Sequence, residues 1–186
     1  MIWKLEGRSL TDCFFDTDCL SAFLWVKGES ILCRLYSGEI ILPAQVYNEL
    51  KHVPHLLARA DSMRDHGDLR IESMEVGTRE YEDYLQMTLN PEHGARIIGS
   101  GEAAAIAMAK ERGGILASNN LRDISFYVSR FHLHHITTGM ILKEALCKEM
   151  ITEAEGNELW SEMIRKRRIL PTRTFSEYLS LSDPER

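Results

Sequence analysis

Apolar residues in this chain follow two rhythms. Short unbroken runs alternate with stretches in which apolar side chains recur every three or four positions, and Gly, Pro, Asn or Asp stand between them. Residues 11–16 hold the first run, Cys13-Phe14-Phe15, and read as a strand. Leu20, Phe23 and Leu24 fall at helical spacing and predict a helix over 21–26. Ile31, Leu32 and Leu35 predict a second over 30–36, ended by Gly38. Glu39-Ile40-Ile41-Leu42 reads as a short buried strand, and Pro43 opens the next helix, a position that suits proline. A helix over 54–65, a strand over 69–72 and a helix over 79–89 follow.

Residues 90–99 form a predicted loop, punctuated by Asn90-Pro91 and Gly94. The segment 101–112 is apolar nearly all round, which predicts a helix inside the domain. Gly113-Gly114 is a turn, 115–118 a buried strand, and Asn119-Asn120 leads into a helix through Val128. A last strand is expected over 135–137, then helical segments around 141–148, 152–166 and 174–179. Strands alternating with helices predict an α/β fold built on a mostly parallel sheet.

At 186 residues the chain fits one domain with a sizeable core, in which 138–186 forms a helical C-terminal extension. Its 44% apolar and 27% charged residues are those of an ordinary soluble protein. The net charge of −6 argues against a basic, nonspecific DNA binder. A nucleic-acid partner would need a local basic patch, or a metal that offsets the acids of the site. No apolar run approaches the roughly 18 residues of a membrane span. Asp12 and Asp16 interrupt any charged-then-apolar leader, and the expected location is cytoplasmic. Cys13, Cys19, Cys33 and Cys147 match no zinc spacing and are expected as reduced, mostly buried thiols.

Three lone carboxylates stand where strands or loops meet apolar segments. Asp16 closes Cys13-Phe14-Phe15, Glu49 ends Pro43-Ala44-Gln45-Val46-Tyr47-Asn48-Glu49, and Glu102 follows Gly99-Ser100-Gly101. Each has a plainer reading. Asp16-Thr17-Asp18 suits a helix N-cap, Glu102 complements a helix dipole, and Glu49 fits a solvated helix face. As a set, at the carboxyl end of a parallel sheet, they read as oxygen ligands for a hard divalent cation.

Four stretches together carry a resemblance. Phe14-Phe15-Asp16-Thr17-Asp18, Ile40 to Leu50, Gly101-Glu102-Ala103-Ala104-Ala105 and Ile115-Leu116-Ala117-Ser118-Asn119-Asn120-Leu121-Arg122-Asp123 resemble the PIN-domain ribonucleases, in particular the VapC-type toxins of bacterial toxin–antitoxin systems. The likeness covers about residues 12–131. It implies a three-layer α/β/α sandwich and a metal-dependent endoribonuclease that cuts RNA with a metal-activated water. It further implies Mg²⁺ or Mn²⁺ as cofactor, RNA as substrate and a small antitoxin protein as partner; a homodimer is compatible with it.

By this resemblance Asp16, Glu49 and Glu102 match the first three acids of the family's site, and Asn120 stands where the fourth is normally an Asp. Asp16, Glu102 and Asn120 would hold the metal, with Asp123 able to compensate for the lost charge and Glu49 holding the metal or orienting water. The alternative is a PIN-like binding module that has lost catalysis with its fourth acid. Arg165, Arg168 and Arg173 are candidate RNA-phosphate contacts. His132 and His134 would share a face if 131–136 were a strand, and His52 and His55 read as a solvated turn. Trp3, Trp25 and Trp160 are expected in cores or interfaces.

Overall fold

The computed structural model describes residues 11–182. Trp3, and with it the expected packing of that ring, lies outside the described residues. In chain order the elements are β1 (Cys13–Phe15), α1 (Thr17–Trp25), α2 (Glu29–Tyr36), β2 (Ile40–Pro43), α3 (Ala44–Leu50), α4 (Pro54–Asp65), β3 (Leu69–Glu72) and α5 (Arg79–Leu89). They continue with α6 (Ser100–Arg112), β4 (Ile115–Ala117), α7 (Leu121–Phe131), β5 (His134–Ile136), α8 (Thr138–Cys147), α9 (Glu153–Arg165) and α10 (Phe175–Ser182).

Several boundaries differ from the sequence reading by a few residues, Pro43 closing β2 rather than opening α3 among them; two have a clear local reason. Helix α1 begins at Thr17 rather than at 21, because the Asp16 carboxylate accepts a hydrogen bond from the Cys19 amide at 2.7 Å and caps it. The polar Thr17 and Asp18 that open it are placed by this cap and not by an apolar period. Strand β5 starts at His134, and His132 sits in the left-handed region at φ 52° as the C-cap of α7. His132 and His134 therefore share no strand face.

Five strands form one sheet in the order β3-β2-β1-β4-β5, every neighbouring pair parallel. The central strands β1 and β2 are buried on both faces and β4 nearly so, whereas the edge strands β3 and β5 are partly exposed; alternation sends the buried side chains into two cores. Phe14, Ile41 and Leu116 pack with α5, α6 and α7. Cys13, Phe15, Ile40, Leu42 and Ala117 pack with α1 to α4 and α8 to α10. The result is an α/β/α sandwich. Helix α6 is buried from Ala103 to Ala109, as its apolar circumference requires.

Helices α8, α9 and α10 share the core of α1 to α4 and pack closely on each other. Trp160 is wholly buried and donates from Nε1 to the Thr172 carbonyl at 3.0 Å. A Cβ on Gly156 would come within 2.4 Å of the Phe175 ring, so only glycine allows that approach. All four cysteines are free; Cys13 and Cys19 are buried, whereas Cys147 is exposed against expectation. Among the described residues no helix is long and apolar enough to cross a membrane.

The strand order positions the site. From β1 the chain builds outward through β2 to β3, then returns through α5 and α6 to place β4 on the other side of β1. The carboxyl ends of β1 and β4 thus flank the point where the order reverses, where a crevice opens in such sheets.

Candidate active site

Asp16 is the first residue beyond β1. Its amide donates to the Ala117 carbonyl at 3.0 Å, which ties it to the end of β4. The side chain is wholly buried. Oδ1 accepts the Cys19 amide, and Oδ2 has no hydrogen-bond partner. Burial pushes its pKa up to about 7, against the pull of the Ser118 hydroxyl and the Cys19 amide; nearby Asp18 and Glu102 push the same way as burial.

Glu49 comes from α3 and reaches both helix starts beside Asp16. Its Oε2 accepts a short hydrogen bond from the Thr17 hydroxyl, and its Oε1 accepts the Gly101 amide at 2.9 Å. A Cβ at Gly101 would lie 2.9 Å from each Glu49 oxygen, so the glycine makes room for the carboxylate. Both oxygens are engaged, and Glu49 joins the first turns of α1 and α6. It is a positioning residue in this arrangement.

Glu102 lies in the first turn of α6. Oε2 accepts the Gly99 amide at 3.2 Å, which caps the helix, and Oε1 accepts Asn120 Nδ2 at 2.6 Å. Burial raises its pKa, and Asp123 and Asp18 raise it further. The Asn120 NH₂ also donates to Asp123 Oδ2 at 2.9 Å. It thus bridges two carboxylates. Asn119 turns away: its Oδ1 accepts the Thr138 amide at 2.9 Å and its Nδ2 donates to the Thr138 hydroxyl at 2.8 Å.

Asp16, Glu49, Glu102, Asn120 and Asp123 therefore gather around the ends of β1 and β4. A cleft of about 640 Å³ opens there, lined by Asp18, Glu102, Asn120, Arg122 and Asp123 among others. Asp18 and Arg122 were missed as site residues. Asp18 had a signal in the Asp16-x-Asp18 spacing but was absorbed into the cap. Arg168, from the loop after α9, donates from Nη1 to Asp18 Oδ1 at 3.1 Å and to the Ser21 hydroxyl at 3.2 Å.

A family model described as a PIN domain matches residues 13–184. The chain belongs to the PIN-domain family. Comparison with curated proteins and with solved structures finds no match in either. PIN domains are typically nucleases, and PIN-domain nucleases usually use divalent metals.

The donor chemistry of this PIN domain suits such an ion. Asp16 Oδ2 is a buried oxygen without a partner, beside Asp18 and Glu102, and oxygen donors of this kind bind hard cations. Among the described residues no three His, Cys, Asp or Glu side chains are already grouped as an ion site. Glu102 is held by Asn120 and Gly99, and Glu49 by Thr17 and Gly101, so amide and hydroxyl hydrogens meet these acids. Asn120 turns its NH₂, rather than its oxygen, toward Glu102 and Asp123.

The other candidates disperse across this PIN domain. Arg165 pairs with Glu162 and lines a separate groove between α2 and α9. Arg173 is exposed, and its amide donates to Glu177 Oε2 at 2.9 Å. Of the three arginines only Arg168 contacts a cleft acid. His55 lies in the first turn of α4, with its ring 4.6 Å from that of Trp25. His135 has Nε2 at 2.8 Å from the Ser118 carbonyl.

Proposed function

We propose that this PIN domain is a divalent-cation-dependent endoribonuclease and that it serves as the toxin of a toxin–antitoxin pair. The observation that carries the nuclease reading is Asp16. A carboxylate with one oxygen unpartnered, pushed toward neutrality by burial and, to a smaller extent, by Asp18 and Glu102, is costly in the absence of a cation. A divalent ion compensates that cost. The toxin role is supported by the VapC-like stretches around Asp16, Glu49, Glu102 and Asn120.

In this reading Asp16 and Glu102 hold Mg²⁺ or Mn²⁺, with Asp18 and Asp123 adding negative charge around them. Such an ion, when bound, polarises a phosphodiester and lowers the pKa of a coordinated water. Asp16 gives up its proton on cation binding, because the positive charge favours the carboxylate. Glu49 fixes the first turns of α1 and α6, so the two principal acids keep their spacing. Asn120 orients Glu102 and Asp123 through one NH₂ group. Arg122 and Arg168 border the cleft and suit the phosphate oxygens of a single strand.

A second reading, a PIN-like module that binds without cutting, draws on Asn120. Its amide hydrogens already meet Glu102 and Asp123, which weakens the demand for an ion. Incubation of end-labelled RNA with the purified protein decides between them. The nuclease gives internal cuts with Mn²⁺ or Mg²⁺ that EDTA abolishes and that fall by about 100-fold or more in Asp16→Asn. Intact RNA at every cation concentration would favour the binding module. Inhibition by the product of an adjoining small reading frame would test the toxin role.

A further inference from the structure

The acidic cleft continues into an apolar groove of about 390 Å³. Asn119, Leu121 and Ile169 line both. The groove's other apolar walls come from Met140, Leu170, Pro171 and Tyr178. Leu121 is 48% exposed, Met140 43% and Ile169 84%, so three large apolar side chains face solvent around one depression beside the acids. Single exposed apolar residues are ordinary on a protein surface, whereas a contiguous set of this kind marks a contact site.

One wall is rigid. The Tyr178 ring stands 5.3 Å from Trp160 and 6.4 Å from Phe175, and a Cβ on Gly139 would come within 2.5 Å of it. The groove also offers polar atoms. His135 and Thr137 line it, and burial lowers the His135 pKa, which favours the neutral ring. Because Nε2–H donates to the Ser118 carbonyl, Nδ1 is left as an acceptor.

We propose that this groove is a nucleobase subsite, which takes the base of the nucleotide adjoining the phosphate held in the acidic cleft. The inference rests on the nuclease reading of that cleft. A base and its phosphate are joined through one sugar, so a strand with its phosphate at the acids must put a base into adjoining space. Unstacked bases bind against aromatic and apolar side chains and use their edges for hydrogen bonds. Arg122 and Arg168 at the cleft border suit an occupant whose apolar part is carried on an anionic backbone.

The test uses a short single-stranded RNA and a set of copies in which one base at a time is removed, leaving the sugar and phosphate. Binding is read by fluorescence anisotropy in EDTA, and cleavage with Mn²⁺. For the wild type, removing the base next to the cut should weaken binding and kcat/KM about tenfold. The double variant Met140→Ala with Ile169→Ala, both exposed positions, should fold normally by circular dichroism. It should lose a similar factor on intact RNA and nothing further on the abasic copy. Cleavage that is indifferent to every missing base would overturn the subsite and leave the nuclease reading standing. Binding that depends on one base and on the groove, without cleavage under any cation, would sustain the subsite and overturn the nuclease reading. No RNA binding would overturn both. Unchanged RNA handling in the double variant, with a shift from dimer to monomer in sedimentation, would assign the groove to a second copy of the chain instead.

Discussion

The Asn120 side-chain nitrogen stands 2.6 Å from Glu102 Oε1 and donates a hydrogen bond to it. The same NH₂ donates to Asp123 Oδ2 at 2.9 Å. An amide thus separates two carboxylates at the end of β4, in the position where the resemblance places a fourth acid.

Asn120→Asp replaces both donors with a third negative charge of nearly the same shape. Without cations the variant should melt lower by about 2–10 °C, the range expected when a half-buried hydrogen-bonded donor between two carboxylates is lost in a chain of this size. Saturating Mn²⁺ should raise its melting temperature more than that of the wild type, because the cation binds the folded state with one more charge opposite it. Calorimetric or fluorescence melts with and without Mn²⁺ check this. Equal shifts in the two proteins would remove Asn120 from the ion's surroundings.

Gly101→Ala should be unfavourable even though alanine is the better helix former by about 1 kcal/mol. Its Cβ would fall 2.9 Å from both oxygens of Glu49, which must then leave the Gly101 amide and the Thr17 hydroxyl. Cleavage should drop while the helical content by circular dichroism stays unchanged. A variant as active as the wild type would show that Glu49 does not position the two helix starts.

Asp16 gives the metal-free protein a pH dependence. Its folded pKa, about 7, lies above the ordinary value of 3.8, so the folded chain binds this proton more tightly than the unfolded chain. The resulting stability is fully present below about pH 4 and is lost as the pH rises through about 7, a change on the order of 4 kcal/mol. Asp16→Asn should flatten that fall in metal-free melts between pH 5 and 8, and Mn²⁺ should flatten it in the wild type. Parallel pH profiles for wild type and variant would contradict the assignment.

Arg168→Gln should change stability by less than about 1 kcal/mol, since both partners of its ion pair with Asp18 are partly exposed. RNA affinity should fall, and the slope of log Kd against log salt should decrease by about one unit if this guanidinium meets a phosphate. An unchanged slope would confine Arg168 to holding its loop.

The elements of this fold were legible because burial leaves a strong pattern. Cys13-Phe14-Phe15, Ile40-Ile41-Leu42 and the apolar segment Ala103 to Ala109 all occupy the core, and a parallel α/β sheet follows from their alternation with helices. What escaped depends on side chains meeting across layers. The start of α1 at Thr17 is set by a cap, so no apolar period announces it. Asp16 was legible both as a cap and as a site acid, and it is the cap as well as a member of the gathered acids. The pairing of Arg168 with Asp18 spans 150 positions and leaves no local trace. The role of Gly101 appears only with the Glu49 carboxylate against it. Arg165 and Arg168 are both candidate phosphate contacts three positions apart, yet the helix end turns Arg165 toward α2 and Arg168 toward the acids.

The claim that most of this account depends on is that a divalent cation binds beside Asp16 at the junction of β1 and β4. Crystals of the wild type and of Asp16→Asn grown with Mn²⁺, with diffraction recorded for the anomalous signal of manganese, test it directly. One strong peak is expected beside Asp16 Oδ2 and Glu102, and no such peak in Asp16→Asn. Manganese bound elsewhere on the molecule, or an equal peak in Asp16→Asn, would contradict it.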